Sequence, residues 1–252
     1  MIPQSYLKGI RTVVFDLDDT LYAFERPGGP NDAALRALAE YAAPKIGVAP
    51  DAFIDEVAAS LRAQKERTGP DNPGYHSRCV RYARLLEARG LPLRLALDFV
   101  EVYWRELFAR IRPAPGAADI LRACRARGLR VGLGTDMTAI EQFRKLKALG
   151  LLDLVDFVAS SEEAGIEKPN PGLFDLVVEK ARCAPSEILF VGDNLRKDVL
   201  GATAAGMRAV WLQPDPAARA GRPEVAAVGS LADLSAALDA GERSDSDAKK
   251  KG

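Results

Sequence analysis

Three carboxylates, Asp16, Asp18 and Asp19, fall within four positions directly after the apolar run Thr12-Val13-Val14-Phe15. Such a run of β-branched and aromatic residues reads as a buried strand, and a strand that ends on acids delivers them to a sheet edge. Alternate side chains of an extended chain share a face, so a regular continuation aims Asp16 and Asp18 at one pocket and Asp19 away from it. Two like charges that close need a shared proton or a metal. A hard divalent cation such as Mg²⁺, which takes one or two carboxylates plus water and phosphate oxygens, would relieve the repulsion. A solvated acidic turn at a strand end is the plainer account of the same residues.

Three later places repeat the theme. Thr135-Asp136 closes an apolar run at 129–134. A hydroxyl at a strand's carboxyl end lies where open α/β sheets bind ligands, though it also suits a helix N-cap. Lys168 stands directly before Pro169, in a segment held out of helix. Gly192-Asp193-Asn194 ends another apolar run, with Asp198 about one helical turn further on. Gly192 leaves room for close backbone approach, while Asp193 or Asn194 also suits an N-cap. His76 is the only histidine, which disfavours histidine acid-base chemistry and leaves it a surface contact or a contact between segments.

The elements that position these residues change character along the chain. After Tyr22, Glu25-Arg-Pro-Gly-Gly-Pro30 must turn. From about 24 to 111 every periodic segment is helical, with Asn31 or Asp32 and then Asp51 as candidate N-caps and a Gly/Pro-rich loop at 69–74. Pro113-Ala-Pro-Gly116 ends that run, and helices near 117–127, 138–149, 171–182 and 196–205 then alternate with strands near 129–134, 156–159, 187–191 and 208–212. A last strand and helix, Val225–Val228 and Leu231–Leu238, complete the pattern. The alternation predicts an α/β fold, a parallel sheet with helices on both faces. Because the first strand belongs to that sheet, the helical segment is an insertion. The divisions are 1–23 with 112–241 as the α/β core, 24–111 as the helical insertion, and 242–252, a Ser/Asp and triple-Lys run, as a disordered tail.

Lys plus Arg and Asp plus Glu both number 35, so no basic field draws the chain to nucleic acid or an anionic membrane, and a small anionic substrate must be held by local charges. Cys79, Cys124 and Cys183 lack metal-ligand spacing and read as buried small hydrophobes of a reducing cytoplasmic protein. No signal-like or membrane-spanning run is expected from the N-terminal segment onward.

In order along the chain, these residues resemble the motifs of the haloacid dehalogenase-like (HAD) hydrolases. Asp16-Leu-Asp18-Asp-Thr20 looks like the first motif, DxDxT; Thr135 matches the second, Lys168 the third, and Gly192-Asp193 with Asp198 the fourth, GDxxxxD. The resemblance implies a Rossmann-like core with an α-helical cap inserted after the first motif and covering the site. It implies Asp16 as a nucleophile that becomes phospho-aspartate and Asp18 as general acid and base. Thr135 and Lys168 would hold the phosphoryl group, with Asp136 and Asn194 beside them in the substrate pocket. Mg²⁺ would be held by Asp16, the Asp18 backbone carbonyl and Asp193, with Asp198 in support. Asp136 stands where relatives often carry Asn. The activity implied is a phosphatase of a small phosphorylated metabolite, a nucleoside monophosphate or sugar phosphate, by a monomer or homodimer. Asp18 separates the chain from the dehalogenase branch, which lacks an acid there, and from the phosphonatase branch, which has a small residue. The stretch Thr135–Pro169 is most similar to the branch of nucleoside-monophosphate and acylneuraminate 9-phosphate phosphatases. A phosphomutase, or a non-catalytic binding or regulatory protein on the same scaffold, are the alternatives; intact residues at all four motifs argue against the latter. Specificity would lie in the cap, with Tyr75, His76 and Arg78 as candidates for reading the substrate.

Overall fold

The computed structural model describes the chain except Met1, Pro3, Arg26, Pro214 and residues 250–252, and for Gln4, Ser5 and 241–249 it describes the backbone only. Helix α1 (Gln4–Leu7) leads into β1 (Thr12–Phe15), and four helices follow: α2 (Pro30–Ile46), α3 (Pro50–Thr68), α4 (Arg78–Glu87) and α5 (Arg94–Arg110), with a 3₁₀ turn at Pro73–His76. Then come α6 (Ala117–Ala126), β2 (Arg130–Thr135), α7 (Ala139–Ala148), β3 (Phe157–Ser160), α8 (Ser161–Ala164), α9 (Pro171–Ala181) and β4 (Ile188–Gly192). A π-helical stretch at Leu195–Leu200, α10 (Gly201–Ala204), β5 (Arg208–Leu212), α11 (Pro216–Ala220), β6 (Ala227–Val228) and α12 (Leu231–Lys249) complete the chain.

All six strands pair in parallel, in the order β3-β2-β1-β4-β5-β6. Every residue of β1 is buried, because helices cover both faces: Val13 and Phe15 join Leu133, Leu189 and Val191 in one apolar cluster, and Val14 joins Phe190, Phe174 and Leu173 in the other. The chain fills the sheet on one side of β1 with β2 and β3, then returns to lay β4 on the other side. Ligands of open α/β sheets bind in the crevice at such a switch point, outside the carboxyl ends of the strands. The ends of β1, β2 and β4 meet there.

The helices α2–α5 pack around Phe99, whose ring meets Tyr41, Phe53 and Tyr82 edge-on at centroid distances of 6.4, 5.8 and 5.9 Å. Their buried residues, Leu38, Phe53 and Leu107 among them, are continuous with the cluster on the β1 face that holds Phe15. The segment leaves and rejoins the core side by side, since the Ala114 N–H donates to Leu21 O at 2.8 Å and Tyr22 bridges to Pro113.

The structure corrects several local expectations. Neither Asn31, Asp32 nor Asp51 caps a helix: α2 and α3 begin on Pro30 and Pro50 behind Gly29 and Ala49, and proline's fixed φ and missing N–H suit that first position. Asp32 instead accepts the Gly28 N–H at 2.9 Å, and Asp51 pairs with Arg36 at 2.6 Å. Helix α12 continues to Lys249, through most of the segment expected to be disordered; a helix already docked by Leu231, Leu234 and Leu238 extends at little nucleation cost. Residues 250–252 lie outside the described part. Cys124 is buried as expected, whereas Cys79 is exposed. Among the described residues no helix is long and apolar enough to cross a membrane.

Two glycines of β2 are there for space. A Cβ on Gly132 would lie 2.2 Å from the Phe157 ring, and one on Gly134 would lie 2.6 Å from the Phe190 ring. Gly132→Ala is expected to lower stability by about 1–3 kcal/mol through overpacking, seen as a lower urea midpoint with unchanged slope. An unchanged midpoint would contradict this packing of β2 against Phe157.

Candidate active site

Asp16 follows β1 directly, its N–H still tied to Val191 O at 2.9 Å, so its side chain is fixed at the end of the sheet. Lys168 meets it there: Nζ donates to Asp16 Oδ1 at 2.7 Å, to Asp198 Oδ1 at 2.7 Å and to Gly134 O at 3.0 Å. The ammonium is buried, yet the two carboxylates outweigh its desolvation and hold its pKa well above the ordinary lysine value. Burial pushes Asp16 well above the usual carboxylate range; Lys168 opposes this, and Asp198 and Asp193 add to it. Asp198 also accepts the Asn194 N–H through Oδ2 at 2.9 Å. A Cβ on Gly192 would sit 2.3 Å from that Oδ2, so the turn into the fourth motif closes only over glycine.

Asp193 completes the cluster. Thr20 donates to its Oδ1 at 3.4 Å and accepts its N–H at 3.2 Å, and Trp211 Nε1 donates to its carbonyl at 2.7 Å. Burial, then repulsion from Asp198 and Asp19, push Asp193 up to about 7. Asp16, Asp193 and Asp198 each offer a carboxylate oxygen within 4.8 Å of the others. Three acids with one shared ammonium are short of positive charge. Hard oxygen donors at this spacing fit Mg²⁺, and both oxygens of Asp198 are already engaged, which suits it to a supporting role.

Asp18 is anchored from a direction the sequence did not reveal. Lys145 Nζ reaches both its oxygens at 2.6 and 2.9 Å, Gln142 Nε2 donates at 3.1 Å, and the Tyr22 hydroxyl donates as well. Burial favours the neutral acid, but Lys145 and these hydrogen bonds win and lower its pKa. Gln142 and Lys145 project from the buried face of α7, which turns Ile140 and Phe143 outward. That reversal is the available signal: a helix whose 3.6-residue pattern leaves Gln and Lys on the inward stripe has polar work there. The strand does not continue past Phe15, yet Asp16 and Asp18 line one cavity as expected; Asp19, expected to point away, lines it too, with φ 61° and its carboxylate accepting the Phe24 N–H at 2.8 Å.

Thr135 is fully buried, donating to Asp136 O at 3.2 Å and accepting from Gln142 Nε2 at 2.6 Å; Thr138, not Thr135, stands at the N-cap of α7. Asp136 is a brace, taking the Lys168 N–H at 3.0 Å and Lys197 Nζ at 2.7 Å. Asn194 caps the π-helical stretch by accepting the Lys197 N–H at 2.9 Å. Glu167 and Lys197, also missed, join the inserted segment to the core. Tyr75 donates to Glu167 at 2.9 Å, His76 bonds the same carboxylate, and Lys197 reaches it at 3.1 Å. A cavity of about 550 Å³ brings together Asp16, Asp18, Lys168 and Asp193 below and residues of α2–α5 above. A second, of about 630 Å³, opens beside Asp19 and Asp193 toward Arg112 and Gln213.

The family model of haloacid dehalogenase-like hydrolases matches residues 10–206. The chain belongs to that family and is a hydrolase. It is 34% identical over 206 residues to a ribulose-1,5-bisphosphate 5-phosphatase of Halopiger xanaduensis, covering 80% of this chain and 84% of that one. It is 32% identical over 205 residues to a glyceraldehyde 3-phosphate phosphatase of Methanopyrus kandleri, covering 81% and 84%. Among solved structures, a 2-haloacid dehalogenase from Pseudomonas syringae aligns with a TM-score of 0.72 at 26% identity, over 91% of this chain and 98% of that one.

The Asp18–Lys145 pair makes a separable expectation. Asp18→Asn leaves Lys145, 0% exposed, without its counter-charge, at a cost of about 3–5 kcal/mol. Adding Lys145→Met should recover much of that loss in a urea-unfolding double-mutant cycle. Additive losses would show that the two side chains do not depend on each other.

Proposed function

We propose that the chain is a Mg²⁺-dependent phosphatase that hydrolyses a small sugar phosphate through a phospho-aspartate on Asp16. The observation that carries this reading is the Lys168 ammonium 2.7 Å from Asp16 Oδ1, with Asp193 and Asp198 alongside, at the switch point of the sheet. The inserted helices act as the cap over this site. Substrate size follows from the cavity, which is in the range of small-ligand pockets. The sugar class follows from the names of the two relatives, and a reducing cytoplasmic setting from the free thiols.

In the first half-reaction an Asp16 oxygen forms a bond to phosphorus as the bond from phosphorus to the sugar oxygen breaks, and that oxygen takes its proton from Asp18, which must enter this step protonated against the pull of Lys145. In the second, the Asp18 carboxylate, anchored by Lys145 and Gln142, takes a proton from the water that attacks the phosphoryl group. Inorganic phosphate leaves and Asp16 is restored. Lys168 offsets the charge of the transferring group, and Thr135 lines its pocket. Asp16, Asp193 and the Asp18 carbonyl would hold Mg²⁺, with Asp198 behind; when bound it supplies further neutralisation of the phosphoryl oxygens. Asp18 is also what favours phosphatase over dehalogenase chemistry: a halide departs unprotonated, whereas an alkoxide needs an acid.

Asp16→Asn should abolish phosphate release from ribose 5-phosphate with the circular-dichroism spectrum unchanged, because the amide keeps the volume but cannot attack. Parent-like turnover would remove Asp16 from the nucleophile role. EDTA should silence the parent enzyme. Asp193→Ala should shift or abolish the Mg²⁺ activation curve, and an unchanged midpoint and maximum would place the metal elsewhere.

A further inference from the structure

The cavity is divided by charge. Its floor carries Asp16, Asp18, Asp193 and Asp198, but its lining between Asn31 and Tyr103 contains Lys65, Arg78 and Arg81 and no carboxylate. Two of these cations are buried with aromatic and carbonyl partners but with no carboxylate paired to them. Arg78 and Arg81 are 8% and 6% exposed, and among the described residues neither makes an ion pair. Arg78 donates from Nη2 to Tyr103 Oη at 2.8 Å and lies over the Tyr103 and Trp104 rings at 4.1 and 4.6 Å. Arg81 donates from Nη2 to Tyr75 O at 3.0 Å, and its buried Nε has no partner. Glu141, an acid whose field reaches Arg78, makes no ion pair with it.

Their place on the helix adds to the imbalance. Arg78 and Arg81 stand three residues apart in the first turns of α4, on one face, with no acid in the first turn. A helix N-terminus carries partial positive charge and favours anions, and side chains of a helix lean toward that end. Burial, and then Arg78 beside it, lower Arg81 to about 10. Two guanidiniums on one helix face that line the same cavity without a paired anion form an incomplete set, and a guanidinium fork matches a carboxylate or phosphate.

We infer that Arg78 and Arg81 form a second anion subsite in the roof of the cavity, so that the substrate is a phosphomonoester whose far end carries a further anionic group, a carboxylate or a second phosphate. This rests on the phosphatase reading for the scissile end. The floor takes the phosphoryl group that leaves; the roof takes the charge that stays. Tyr103 links the two, since it bonds Arg78 and its hydroxyl feels the field of Asp18.

The test is equilibrium binding to the full chain with Mg²⁺, in the Asp16→Asn background so that esters are not consumed. Three probes are compared: glycerol 3-phosphate with a neutral tail, 3-phosphoglycerate with a carboxylate tail, and ribulose 1,5-bisphosphate with a phosphate tail. One or both tail-charged probes should bind about tenfold to a hundredfold more tightly than glycerol 3-phosphate, as expected for one or two charged hydrogen bonds, and which one does so identifies the second anion. Arg81→Met should bring that ratio close to one, and Arg81→Lys should retain part of it. Equal affinity for all three probes before any cap substitution, or a ratio untouched by Arg81→Met in a folded variant, overturns the subsite. Phosphate release from the same esters by the parent enzyme is read separately, so absent turnover with a preserved affinity ratio would count against the phosphatase reading while upholding the subsite.

Discussion

One buried ammonium sets the terms for the rest of the site. Lys168 lies between Asp16 and Asp198, and each of these acids would otherwise be a charge withdrawn from water with no compensation. The core is arranged to bring them together. Asp16 arrives directly after the central strand β1, Asp198 just after the turn that follows β4, and Lys168 on the loop between α8 and α9, where its own N–H is held by Asp136. Gly134 offers a carbonyl to the same ammonium, and Gly192 leaves space for the Asp198 carboxylate. The parallel order of the strands therefore matters for chemistry mainly because it places three strand ends at one crevice.

Charge balance also explains what this arrangement lacks. Asp193 is pushed up to about 7 and Asp16 well above its ordinary range, which describes a floor with more carboxylate than Lys168 can neutralise. The roof has the opposite shortage. A Mg²⁺ ion below and an anionic substrate between would complete both. Asp18 has a lysine of its own, Lys145, whereas Asp16 and Asp198 share Lys168, and Asp18 is the acid whose proposed role requires a stable carboxylate for part of the cycle.

Much of this was legible in the sequence because it obeys short-range rules. An apolar run ending in Asp, Thr or Gly-Asp marks both a buried parallel strand and its carboxyl end, so the sequence alone puts Asp16, Thr135 and Asp193 at the sheet edge. Lys168 was legible only as a member of that ordered series. Lys145 and Gln142 were not, since their contact with Asp18 spans more than a hundred residues and depends on the orientation of α7. Glu167 and Lys197 likewise act across the boundary between the inserted helices and the core, which periodicity within either segment does not encode. The helix starts were misread for a local reason: Pro30 and Pro50 supply the first turn by backbone geometry, with no capping side chain.

The account's central claim is that Asp16, held by Lys168, takes the phosphoryl group before water does. The stereochemical course at phosphorus, followed with an ester whose phosphoryl oxygens are isotopically distinguished, tests this most directly. Two successive in-line displacements predict retention of configuration in the released phosphate. Inversion would mean that water attacks phosphorus in a single step and that Asp16 is not the nucleophile.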